Sequence, residues 1–225
     1  MPQDPPQWRS AAHCSVLLAA ANGRIPAPDQ RSLPVTEPSA EPSTEDPTIL
    51  ATRRWLEQAV IGLNLCPFAR APYIKQRVRF RVSLATDEDQ LVADLAEELG
   101  LLAAAEPDAI ETTLLIHPHV LQDFYDFNDF LEIADAKLQA LGLEGELQVA
   151  SFHPDYQFAD SAPDAIENCT NRSPFPTLHL LRESSIDRAI EVIEDTDEIY
   201  RRNIETLRGL GWEGWKKLMQ AGAGA

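Results

Sequence analysis

Residues 77–84, RVRFRVSL, alternate basic and apolar side chains with almost no break. Only an extended strand puts successive side chains on opposite faces. Val78, Phe80, Val82 and Leu84 are therefore expected to face a core, and Arg77, Arg79 and Arg81 the other side. With an acid excess elsewhere, the arginine stripe is expected to pair with carboxylates of the following helix.

A lone half-buried strand is not stable, so the chain must supply partners. The residues C-terminal to it determine which kind of sheet those partners make. Thr86 and Asp89 read as a capping-box-like start for a helix to about Ala105. Its inner face is Leu91, Val92, Leu95, Leu99 and Leu102; Asp87, Glu88, Asp94, Glu97 and Glu98 form its polar side. Residues 111–117 (ETTLLIH) read as a second strand, and 127–141 as a helix closed by Gly142 and Gly145. Residues 147–153, mostly apolar, read as a third strand at the centre of the sheet. Residues 177–181 form a fourth strand, of open direction. A helix capped by Ser184 or Ser185 runs through Ile193, and a last one from about Asp197 to Leu210. Ahead of all this, Asp46 and Pro47 supply an N-cap and a first-turn proline. The helix they open carries Leu50, Leu56, Ala59, Val60 and Leu63 on one face. Pro67 disfavours helical geometry at Cys66, so that helix should finish near Asn64 or Leu65.

Strands alternating with helices imply βαβ units. The expected fold is α/β (or α+β): a four-stranded mixed, largely parallel sheet with flanking helices. A ferredoxin-like arrangement is the alternative. The folded domain is expected over residues 47–219, after a disordered Pro-rich tail (1–46) and before a flexible C-terminal tail (220–225).

The net charge of −17 opposes a nucleic-acid or anionic-membrane surface. No stretch approaches the roughly 18 apolar residues of a membrane span. Three widely spaced cysteines, Cys14, Cys66 and Cys169, argue against a disulfide framework and for a reducing, cytoplasmic setting.

Residues 147–182 hold the densest chemistry, a long polar loop between two strands, and loops of that length are usually functional or disordered. In parallel βαβ units the strand carboxyl ends share the rim where ligands bind. His117-Pro118-His119 ends the second strand and His153-Pro154-Asp155 the third, and His179 lies in the fourth. Two chemistries fit. His117, His119 and His153, with Cys66, are candidate ligands for a divalent metal such as zinc. His117 or His153 could instead work as general acid or base, with Asn171 and Arg172 holding a polar or anionic substrate assisted by Ser173, Tyr156 and Arg182. Bonding within the loop's own backbone is the structural alternative for Asn171 and Arg172, and backbone capping for the histidines. The expected function is an enzyme for a small polar or anionic metabolite at this rim. The alternative is a non-catalytic protein-binding adaptor using the acidic surface and the segment bearing Trp212 and Trp215.

The strings NLCPFA, TTLLIHPHVL, DFYDFNDFL, QVASFHPDYQF and TNRSPFPTLHLLRE together resemble a bacterial family, the domain of unknown function 1415. The resemblance spans about residues 50–211. It implies one intact domain with the Pro-rich start outside it, and it hands no residue a catalytic role.

Overall fold

The computed structural model describes residues 46–190 and 196–220. The Pro-rich tail, the far end of the helix expected to reach Ile193, and the last five residues lie outside the described residues.

Helix α1 (Pro47–Trp55) starts as its sequence dictates: the Asp46 carboxylate accepts the Thr48 N–H at 2.7 Å, with proline in the first turn. Its end is not a simple stop. The helix widens into a π-helical segment, Leu56–Ile61. At Gly62 a Cβ would lie 2.3 Å from the Gln58 carbonyl oxygen, so only glycine fits there. Asn64 then takes a positive φ of 55° and releases the chain. A short helix α2 (Arg70–Ile74), not legible in the sequence pattern, leads into β1 (Val78–Val82).

Strand β1 is followed by α3 (Glu88–Ala104), β2 (Thr112–Ile116), α4 (Phe124–Ala140) and β3 (Leu147–Phe152). A 3-10 turn, Ile166–Thr170, lies in the long loop before β4 (Thr177–Arg182), α5 (Glu183–Ile190) and α6 (Thr196–Gln220). The sheet is mixed, in the order β1-β2-β4-β3. β1 and β2 pair in parallel; β4 pairs antiparallel with both β2 and β3. The first three strands thus point the same way, but only one adjacent pair is parallel, and β4 is inserted between β2 and β3. This corrects two expectations: the sheet is less parallel than foreseen, and apolar β3 is an edge strand. Leu147 and Val149 pack into one core layer and Ala150 and Phe152 into the clusters on the other face, which is why its residues read as central.

Two layers flank the sheet. On one face α3 and α4 bring Leu91, Leu95, Leu99, Phe127 and Phe130 onto Leu115, Leu147, Leu178 and Leu180. On the other, α1, the π-helical segment and α6 bring Trp55, Leu56, Ala59, Leu207 and Trp215 onto Leu114, Ile116 and Phe152. Each fully buried leucine or phenylalanine contributes roughly 1.5–3 kcal/mol relative to exposure.

Two arginines of the stripe pair with the next helix, whereas Arg77 pairs beyond its end, with Asp108 at 2.5 Å. Arg79 reaches both oxygens of Glu98 at 2.7 and 2.9 Å, and Arg81 approaches the same carboxylate at 3.5 Å. Glu98, on the polar side of α3, is only 1% exposed, because two arginines from the sheet meet it. Leu84, expected inward, is 74% exposed: Ser83 ends the alternation by bonding Asp94 at 2.5 Å and the Ala85 N–H at 3.1 Å. The cap of α3 is Asp87 rather than Thr86. Asp87 accepts the Gln90 N–H at 2.9 Å, while the Gln90 side chain accepts the Thr86 N–H at 3.3 Å.

Candidate functional site

The carboxyl ends of β1, β2 and β3 share one rim, and it brings His117, His153 and Asn171 together. The His153 N–H donates to Asn171 O at 3.2 Å, and the two imidazoles flank Phe127 at centroid distances of 5.6 and 5.2 Å. Their tautomers follow from their partners, since a carbonyl can only accept. His117 Nδ1–H donates to Val120 O at 3.1 Å. His153 Nε2–H donates to Leu121 O at 3.2 Å, and its Nδ1 accepts the Asp155 N–H at 3.0 Å. Between those carbonyls the chain is strained, with Leu121 at φ 56°. The two histidines are therefore pins that hold the β2–α4 turn. Both are fully buried. Burial pushes His117 down to about 4 and lowers His153, so both are neutral at pH 7. His117 Nε2 has no hydrogen-bond partner among the described residues.

The remaining rim residues are engaged in the backbone. Arg172 donates to Tyr156 O at 3.1 Å and Pro163 O at 2.7 Å, and lies over the Trp212 ring at 5.7 Å. Ser173 donates to Phe175 O at 2.6 Å. Tyr156 is buried, packed between Phe124 and Phe158 at 5.2 and 5.1 Å. Asn168, which sequence reasoning passed over, holds the loop: it accepts from Phe158 N and Ser161 Oγ and donates to Ala162 O at 2.8 Å. Arg182 is at the opposite rim, since β4 runs backwards and Arg182 pairs with Leu147 at the start of β3. There it satisfies the C-terminal carbonyls of α3, reaching Leu102 O and Ala105 O at 2.6 Å each.

The expected metal set does not assemble. His119 is exposed within the turn after β2, and Cys66 packs on the other sheet face. Among the described residues, no three His, Cys, Asp or Glu side chains are placed to share an ion.

That other face holds a cavity of about 50 Å³ between the π-helical segment and the sheet. Its walls are mostly hydrocarbon, from Leu56, Val60, Leu114 and Leu181, with Cys66 and His179 also on it. Thr112 sets the state of His179. Its hydroxyl donates to Leu180 O at 2.7 Å, so it accepts from His179 Nε2–H at 2.8 Å. His179 Nδ1 is thereby a bare acceptor with no partner among the described residues, and the Trp55 indole N–H is likewise a donor without one. Burial holds His179 at about 4 and pushes the Cys66 thiol up to about 11. The Phe68 and Ala69 backbone N–H groups and the Arg202 charge act against that rise on Cys66. The sequence did carry one signal for this place: a histidine inside the otherwise apolar strand TLHLL.

Fold and site define a small mixed α/β sandwich with a pinned rim and a separate apolar cavity. The chain belongs to the family described as protein of unknown function (DUF1415), whose model matches residues 48–217. Comparison with curated proteins and with solved structures finds no match. No helix among the described residues is long and apolar enough to cross a membrane.

Proposed function

We propose that the domain binds a small, uncharged molecule in the cavity over β2 and β4. One observation carries this reading: a partly open space with apolar walls borders His179, a neutral histidine with a bare acceptor nitrogen. Unsatisfied buried polar atoms are uncommon in folded proteins and cost about 1–3 kcal/mol each. A ligand with a hydrogen-bond donor would recover part of that. A water needs roughly 10–15 Å³ of such space, so about 50 Å³ accommodates a group of a few heavy atoms.

The rim supports acid–base work on an anionic metabolite less well. His117 and His153 would first have to release Val120 and Leu121, and Arg172 would have to release the loop. The adaptor reading meets a similar obstacle, because Trp215 is 8% exposed and lies in the core beside Leu207. Free thiols at Cys66 and Cys169 support a reducing, cytoplasmic setting.

Methyl NMR during titration with butan-1-ol tests the proposal. Saturable shifts confined to Val60, Leu114 and Leu181, weakened in Val60→Ile, are expected. Shifts that spread over the surface, or that never saturate, would overturn it.

A further inference from the structure

Resting on that cavity reading, we propose that Trp55 and His179 are a matched donor and acceptor for one neutral head group that itself accepts and donates: the hydroxyl of a short aliphatic alcohol or the carboxamide of a short primary amide. Both side chains are on the cavity lining. Each carries one buried polar atom without a partner among the described residues, the Trp55 indole N–H and His179 Nδ1. The two atoms are complementary in kind. An indole nitrogen can only donate. His179 Nδ1 can only accept, because Thr112 takes the ring proton at Nε2. Trp55 ends α1, in the helical layer over the sheet, and His179 lies in β4, in the sheet itself. One ring keeps them near each other: Phe152 meets Trp55 edge to face with centroids 5.0 Å apart, and His179 at 5.6 Å.

The ligand class follows from these two atoms and from the walls. A carboxylate accepts but has no donor for His179, and an ammonium donates but has no acceptor for Trp55. Either would also bury an unpaired charge against Leu56, Val60, Leu114 and Leu181, which is costly. A ketone or an ester satisfies Trp55 alone. A hydroxyl or a primary carboxamide satisfies both. Water donates and accepts too, but it leaves the hydrocarbon walls unfilled, whereas a short alkyl tail covers them and leaves water in doing so. A cavity of about 50 Å³ keeps that tail to a few carbons. The Cys66 thiol, which burial holds protonated, belongs to the lining as one more apolar group. No bond is made or broken, so the site binds rather than catalyses.

The experiment uses the full chain, isotopically labelled, and probes of similar size: butan-1-ol, propanamide and butan-2-one. Butan-2-one accepts but cannot donate, so it is the reference. In wild type the Trp55 indole N–H resonance should move downfield with butan-2-one and with the matching head group. The His179 Nδ1 resonance should move with butan-1-ol or propanamide and stay in place with butan-2-one. Affinities should split in the same way. Trp55→Phe should weaken every probe that binds about fivefold, in the range of one lost neutral hydrogen bond. His179→Phe should weaken butan-1-ol or propanamide by about the same factor and leave butan-2-one within about twofold. Comparing variants with one ligand at a time removes differences in hydrophobicity between ligands. Whichever of butan-1-ol and propanamide responds to both replacements names the head group. A replacement that only disturbed packing would weaken all probes alike in both variants, and that result overturns the pair. Saturable binding that moves neither nitrogen resonance also overturns it, and since these are read on wild type they decide even where a variant fails to fold. If the methyls of Val60, Leu114 and Leu181 still saturate in that case, only the polar pair falls; if no probe saturates them, the cavity reading falls first and the pair with it.

Discussion

Acid should unfold this protein through two histidines before its carboxylates are much protonated. His117 and His179 sit near pKa 4 when folded because burial disfavours their charged form, against about 6.5 in an unfolded chain. The unfolded chain therefore takes up protons that the native protein refuses. Their contribution is fully present above about pH 6.5 and drains away as pH falls toward 4. Linkage gives a loss of about 2 kcal/mol for each histidine between pH 7 and pH 5. Together these are a large share of a typical 5–15 kcal/mol domain stability. His153, shifted the same way, adds to the effect. Urea unfolding at pH 7.5, 6 and 5 on wild type, His117→Asn and His179→Gln is the assay. Both replacements keep an amide N–H where the ring N–H bonded Val120 O or Thr112 Oγ1. Each variant should have a pH slope shallower by about 2 kcal/mol across the range, whatever its absolute stability. Shifts common to the many carboxylates cancel in the comparison. Parallel curves for wild type and both variants would refute the reasoning, since neither ring would then be refusing protons in the native state.

Other outcomes follow from single contacts. Arg182→Met should cost about 3 kcal/mol in urea, because the carbonyls of Leu102, Ala105 and Ile110 lose a shared donor; a change under about 1 kcal/mol would deny it that role. Arg172→Ala should lower stability by about 2 kcal/mol and speed proteolysis between residues 156 and 164, whereas unchanged stability and proteolysis would leave it available for substrate. Glu98→Gln should cost about 2–3 kcal/mol, since it weakens a buried bidentate pair with Arg79 and its contact with Arg81; salt should barely alter that loss.

How much of this was legible depended on whether the signal was local. The alternation of β1, the caps at Asp46 and ahead of α3, and the inner leucines of α3 follow from neighbouring residues, and the sequence pattern carries them. Strand order does not follow. Nothing within Leu147, Val149 or Phe152 says that β4 will fold back between β2 and β3, and apolar residues covered on both faces look the same at an edge as at the centre. The rim was legible as a place: His117, His153 and Asn171 do meet there. Their bonding was not, because each histidine's partner is a carbonyl in the turn after β2, which carries no sequence signature. The cavity was the least legible of all. It is lined by side chains from β1, β2, β4, the π-helical segment and the loop at Cys66, far apart in the chain.

The strand order also constrains how the chain can be made. Among the described residues β4 is the one strand that pairs with β3, so β3 has no hydrogen-bonded neighbour strand there until β4 exists. On a ribosome adding about 5–20 residues per second, β3 must wait of the order of a second or more while the loop 153–176 is synthesised. During that interval an apolar strand edge is open to other chains. Helix α6 arrives later still, and only then do Asn203 and Trp212 satisfy the carbonyls of Leu65 and Asp164. A chain released before α6 is made would lack Leu207 and Trp215 from the layer that α1 and the π-helical segment begin, so premature termination near the end of the message should yield a product marked for degradation.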